Sequence, residues 1–178
     1  MLSREENEYL THTGPDTPMG TFMRRFWMPF MLSKEIIEPD GAPQRVRLLG
    51  EDLLAFRDSE GRLALVDEYC PHRRVSLFFG RNEACGIRCV YHGWKFDVDG
   101  NCVDMPSEPS DSTFRDKVKL RSYPVREKAG IIWAYMGPPE LMGDLPDMQW
   151  MGVPDDHRYQ SRWYQESNYA QAVEGEID

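Results

Sequence analysis

The chain has 178 residues, 40% of them hydrophobic and 12% aromatic, enough to bury one full core and begin a second. Lys and Arg number 21 against 30 Asp and Glu, a net charge of -9 with no basic tract, so nothing favours a role on nucleic acid or an anionic membrane. No run of about 18 apolar residues occurs and the start MLSREENEYLTHTG is polar and acidic, so a soluble, cytoplasmic protein is expected.

The first element predicted is a short helix, because Ser3 and Glu6 stand at capping-box spacing. Met19 to Trp27 (MGTFMRRFW) repeats apolar residues at roughly helical spacing until Pro29 interrupts, and the pair Arg24 and Arg25 reads as a solvated face. From Arg45 onward the texture is short runs of β-formers: RVRLLG, DLLAF, LALVDEY, IRCVY, WKFDV and IIWAYM. Hairpin turns are predicted at Ser59-Glu60-Gly61, Asp99-Gly100 and Ala129-Gly130, which together imply a small antiparallel sandwich or barrel. After Gly137-Pro138-Pro139 the chain turns to Gly, Pro, Asp and Met through about Asp156, the composition of a linker. HRYQSRWYQ then reads as one more strand and ESNYAQAVEGEID as a helix with no stop signal; no internal repeat is evident.

Four cysteines are present, Cys70, Cys85, Cys89 and Cys102, and in a chain with no signal peptide metal or redox work is the expected use. Two of them stand beside histidines: Cys70-Pro71-His72 and Cys89-Val90-Tyr91-His92, with sixteen residues between the pairs. A single zinc would draw four donors to one tetrahedral centre, and the C-x-H spacing is tight for that geometry. Two neighbouring metal ions suit the pattern better. A [2Fe–2S] cluster on two thiolates and two imidazoles is the arrangement in which histidines replace cysteines on one iron; the neutral imidazoles leave the cluster less negative and raise its potential. The alternative left open is a structural zinc site.

CPHR, followed by CVYHGWKFDVDGNCVDMPSEP, resembles the Rieske domain of the oxygenase component (alpha subunit) of aromatic-ring-hydroxylating, non-haem iron oxygenases. The flanking text (RVRLLGEDLLAFRDSEGRLALVDEYCPHR, FFGRNEACGIRCVYHGWKFDVDG, YPVREKAGIIWAYMGPPE) is most similar to the phthalate 4,5-dioxygenase class. The resemblance implies a mainly β chain: an N-terminal helical arm (1–28), a Rieske β-sandwich domain (29–139), a linker (140–156) and the start of a helix-grip α+β catalytic domain (157–178). It implies that Cys70, His72, Cys89 and His92 hold the cluster. It also implies that a mononuclear Fe(II), bound by residues not in this sequence, completes the parent enzyme. A flavin- or ferredoxin-type reductase would supply electrons, the substrate would be an aromatic acid, and the parent would be a homotrimer or a multiple of one. In the family the helix that opens the catalytic site carries an Asn, a Glu and an Asp, which Asn168, Glu174 and Asp178 match; Asp178 is thereby a candidate bridge for electrons between subunits. A free-standing Rieske ferredoxin is the rival reading.

Other residues carry blander expectations. Cys85 and Cys102 read as buried small hydrophobes, and His12 and His157 as surface residues. Trp94 should pack over the site, while Tyr91 could pack or donate a hydrogen bond to sulfur. Arg73 and Arg74 could face an acidic electron donor, although solvated arginines need no such role.

Overall fold

The computed structural model describes residues 2–177. Its architecture is three antiparallel sheets: β1 (Trp27–Leu32), β10 (Ile131–Tyr135) and β9 (Val125–Lys128); β2 (Gln44–Leu48), β3 (Glu51–Arg57) and β4 (Leu63–Asp67); and β5 (Arg81–Asn82), β6 (Ile87–Arg88), β7 (Lys95–Phe96) and β8 (Cys102–Asp104). In the middle sheet, β2-β3-β4, the strands β3 and β4 are buried on both sides, while β2 leaves Arg45 and Arg47 exposed. Successive strand residues point to opposite faces, so the unbroken apolar run Leu53-Leu54-Ala55-Phe56 feeds two cores. Leu54, Phe56, Ala64 and Val66 pack with Leu77, Ile87, Phe96 and Leu120 over the four-stranded sheet. Leu53, Ala55 and Leu65 pack with Phe30, Met31, Ile132 and Ala134 on the other side.

All three expected hairpin turns form, and Leu49-Gly50 makes a further one between β2 and β3. Ala129 and Gly130 both take positive φ (56° and 76°), which matches the right-handed twist of the flanking strands. Pro29 does not interrupt a helix. The helix α2 (Pro18–Met23) has already ended, and Pro29 sits inside β1, an edge strand whose register shifts between Pro29 and Met31; there its missing N–H breaks no ladder. The run IRCVY supplies only the two residues of β6, because the chain leaves the sheet at Cys89.

The helix α1 (Arg4–Thr11) has its capping box: the Glu6 N–H donates to Ser3 Oγ and the Ser3 N–H to Glu6 Oε2. None of its residues is buried. Arg24 is a correction. It is not a solvated residue but reaches across to buried Glu51 (2.7 Å) and donates to the carbonyls of Thr13, Gly20 and Leu49. Tyr123 and Arg121 take the other Glu51 oxygen at 2.7 and 2.9 Å. Arg25 is exposed as expected.

Residues 140–156 are irregular and wrap the outer sheet: Trp27 Nε1 donates to the Gly143 carbonyl (2.8 Å), and Met151 is buried beside Trp27, Trp133 and Tyr135. The strand expected over 157–165 does not form. This stretch is fastened by side chains instead, Gln160 to the Ala129 carbonyl and Arg162 to Glu35, and leaves Tyr159, Trp163 and Tyr164 exposed. The last helix, α3 (Tyr169–Ile177), starts where Asn168 Oδ1 accepts from the Gln171 N–H, and Tyr169 ties it to the Leu10 carbonyl of α1.

Candidate metal centre

The two motif segments form loops of equal length and closely similar backbone. Loop 70–75 springs from the Tyr69↔Ser76 bridge and loop 89–94 from the Arg88↔Lys95 pair of β6 and β7. In each, the cysteine N–H donates to the carbonyl five residues on, Cys70 to Val75 and Cys89 to Trp94, both at 2.9 Å. The residue four on then donates back to the cysteine carbonyl, Arg74 at 2.9 Å and Gly93 at 3.1 Å. This closure needs a left-handed residue at that fourth position, with φ 59° at Arg74 and 75° at Gly93. A sequence search for repeats misses the pair because the loops share only their cysteine.

The fold brings the four candidate ligands together. Cys70 and Cys89 are 2% and 3% exposed, and each thiol lies in the other's neighbourhood. The His72 and His92 rings lie with centroids 4.5 Å apart, His72 half-buried and His92 exposed. Burial pushes the Cys70 thiol up to about 11, with the neighbouring Cys89 adding to it and the His72 backbone N–H opposing it. Burial, then the nearby His92 and Arg73 charges, hold His72 below its ordinary value. His72 Nδ1 is buried with no hydrogen-bond partner among the described residues. A buried nitrogen without a partner is costly unless something else takes its lone pair. Two buried thiols, a second imidazole and that open nitrogen make a soft N and S donor set suited to iron and sulfide.

Residues 26–124 match the model of the Rieske [2Fe-2S] domain. The chain belongs to that family. The [2Fe–2S] cluster is the family's cofactor, and the donor set fits it. Over its whole length the Rieske-containing chain is 51% identical to the phthalate 4,5-dioxygenase oxygenase subunit of Pseudomonas putida, covering 40% of that protein. It is 45% identical to the 3-chlorobenzoate-3,4-dioxygenase oxygenase subunit of Comamonas testosteroni, covering 41%. A solved structure of dicamba monooxygenase with non-heme iron and dicamba superposes with a TM-score of 0.66 at 30% identity, over 75% of this chain and 40% of that one. The chain thus spans about two fifths of the length of these curated relatives.

Aromatic rings back both histidines of the Rieske domain. Trp94, 7% exposed, lies parallel to His72 (centroids 4.4 Å, 8° between planes). Tyr91 tilts against His92 at 3.8 Å and is largely exposed.

Sequence reading missed the residues that hold the loops. Arg88, just before Cys89, donates to the Gly93 carbonyl (2.7 Å), to Asp104 (2.7 Å) and to Glu83 (2.8 Å), clamping loop 89–94 across its mouth. Buried Glu68 does similar work for loop 70–75 by accepting from Arg45 Nε (2.9 Å) and from Ser76 Oγ. Glu83 and Arg88 are only five apart, but nothing in their identity marks them as a clamp.

The remaining expectations divide. Cys102 is buried, whereas Cys85 is half-buried in a left-handed turn (φ 63°), where its N–H donates to Ser59 Oγ. Asp58 and Glu60 lie near Cys85, but both Asp58 oxygens are taken by the Glu60 and Arg62 N–H groups and the Arg62 guanidinium, which makes this a turn brace. His12 and His157 are exposed, as are Arg73 and Arg74; Arg74 lies over the Tyr69 ring at 4.9 Å, and neither arginine has an ion pair among the described residues. Glu174 is exposed on α3, and Asp178 lies outside the described residues. No helix among the described residues is long and apolar enough to cross a membrane.

Proposed function

We propose that Cys70, His72, Cys89 and His92 hold a [2Fe–2S] cluster and that the chain is the electron-receiving N-terminal portion of an oxygenase subunit. The observation that carries this is the pairing of two buried, neighbouring thiols with two adjacent imidazoles, one of which has a buried nitrogen without a partner among the described residues. When bound, such a cluster supplies a one-electron carrier of higher potential than an all-cysteine one. The residues of this chain bury the thiolates, fix His72 and present His92 at the surface, where a partner can reach it.

In the parent enzyme, electrons from a flavin- or ferredoxin-type reductase would serve a mononuclear Fe(II) that activates O2 against an aromatic, carboxylated substrate. Similarity along the whole chain to two oxygenase subunits for aromatic acids supports this. The scheme of arm 1–28, Rieske domain 29–139, linker 140–156 and catalytic-domain start 157–178 goes with it, as do a cytoplasmic location, a homotrimeric parent and Asp178 as the bridge between subunits. The exposed Val173 and Ile177 of α3 favour a parent with a further domain over a free-standing ferredoxin.

Protein purified without air should be red-brown, with about two irons and two acid-labile sulfides per chain. A colourless protein holding one zinc would overturn the cluster. Reading the gene past residue 178 for two histidines and a later carboxylate decides between oxygenase and carrier.

A further inference from the structure

Trp94 belongs to loop 89–94, yet its ring lies on the histidine of the other loop. It is stacked nearly parallel on His72, and it also makes a T-shaped contact with Phe114 (centroids 6.2 Å, 74°), a half-exposed residue of the turn Phe114–Lys117. We infer that Trp94 is the positioning residue of His72, holding that imidazole by stacking with Phe114 as its brace, while His92 has no equivalent buried support. This rests on the reading that the four ligands hold the cluster.

Three observations carry the inference. His72 makes no hydrogen bond through Nδ1, so among the described residues the contacts that set its ring plane are ring contacts. Trp94 Nε1 is also buried without a partner, so no hydrogen bond explains why the indole sits where it does. The two ring planes differ by only 8°, whereas Tyr91 and His92 are 40° apart with Tyr91 in solvent. A flat ring packed on an imidazole removes rotation about the ring's bond to Cβ while leaving its nitrogens free to ligate. Support of this kind sets how well a ligand is oriented before metal arrives.

The test uses the chain with its cluster assembled and histidine nitrogens labelled with 15N, read by pulsed electron resonance of the reduced state, which reports each ligating nitrogen separately. Trp94→Phe keeps a flat ring and should leave both couplings as they are. Trp94→Leu should broaden or shift one of the two couplings and speed cluster loss to a chelator by about threefold to tenfold, the scale of one aromatic pair. Phe114→Ala, at an exposed position where folding is not at stake, should change the same single coupling by less. His72→Cys assigns which signal is which. Couplings unchanged in both Trp94→Leu and Phe114→Ala would overturn the inference, as would equal change of both nitrogens. If Trp94→Leu does not fold, Phe114→Ala decides alone. Wild-type protein with no histidine couplings at all would instead sink the ligand assignment beneath it.

Discussion

Loops 70–75 and 89–94 close on the same two hydrogen bonds, yet the first holds its histidine half-buried under Trp94 and the second leaves His92 in solvent beside Tyr91. They differ again at the left-handed position, Arg74 in one and Gly93 in the other, and in their fastening, a Glu68–Arg45–Ser76 brace against the Arg88 clamp. One backbone solution has been fitted with two sets of side chains. The lesson is that the two cysteines share one enclosure, whereas the histidines are set differently: one is packed against a buried ring and the other is open to solvent.

That symmetry of the cysteines is the first thing to break, and the effect should be the largest. Cys70→Ser and Cys89→Ser should each reduce iron per chain to background, because thiolate supplies the charge that holds ferric iron. A histidine exchange should be milder: His92→Cys should keep a cluster whose potential falls by on the order of 100 mV or more. Iron analysis and redox titration check both, and an unchanged potential in His92→Cys would remove His92 from the ligand set.

The Arg88 clamp has the next largest effect. Replacing it with Leu removes three charge-assisted hydrogen bonds from a mostly buried side chain and strands the Gly93 carbonyl, so a loss of about 2–3 kcal/mol in urea unfolding is expected. Arg45→Leu, whose guanidinium is half-exposed, should cost about 1 kcal/mol. If the order is reversed, the second loop is not the one that depends on its clamp.

The left-handed positions should differ more gently. Gly93→Ala places a Cβ at φ 75° and 3.1 Å from Pro106 Cγ, and should cost about 1–2 kcal/mol. Arg74→Gly relieves the same strain in the other loop while loosening the unfolded chain, so its net effect should stay within about 1 kcal/mol of zero. Equal destabilisation by both would show that the two closures are not equivalent.

What could be read from the sequence was whatever is local. The proposed ligand quartet lies in two short segments whose chemistry is carried by residue type and spacing alone, and the hairpins are announced by their turn residues. Long-range pairing was not legible. Arg24 looked solvated because its partner Glu51 is 27 residues away, and nothing near Arg24 records that a sheet will bring it there. Residues 157–165 have the composition of a strand, but a strand also needs a free sheet edge, and this segment is held by Gln160 and Arg162 side chains instead. Pro29 looked like a helix stop because an edge strand that tolerates it is a property of the sheet.

The smallest expected effect separates the loops by pH. The hydrogen bond from Arg88 holds the Glu83 carboxyl below its ordinary value of 4.5; burial opposes it, and the charges of Arg81, Arg88 and Lys95 add to the lowering. A carboxyl whose value falls on folding contributes stability that is complete above the ordinary value and is lost as pH drops through the lowered one. The Arg88 clamp should therefore slacken in acid, at a pH below the ordinary carboxyl value, and it belongs to loop 89–94 alone. Amide exchange of Gly93, which donates to the Cys89 carbonyl, can be compared with that of Arg74, which donates to the Cys70 carbonyl, in the same sample. Any loss of cluster or of global stability in acid acts on both amides, and comparison with Glu83→Gln separates the Glu83 contact from the other carboxylates, Glu68 and Asp104. Protection of Gly93 should fall relative to Arg74 as pH is lowered past the ordinary carboxyl value of 4.5, and Glu83→Gln, which cannot titrate, should flatten that change. A ratio that falls equally in the Glu83→Gln protein would mean that the second loop opens in acid for another reason, and that Glu83 only crowds Arg88 toward Asp104 and the Gly93 carbonyl.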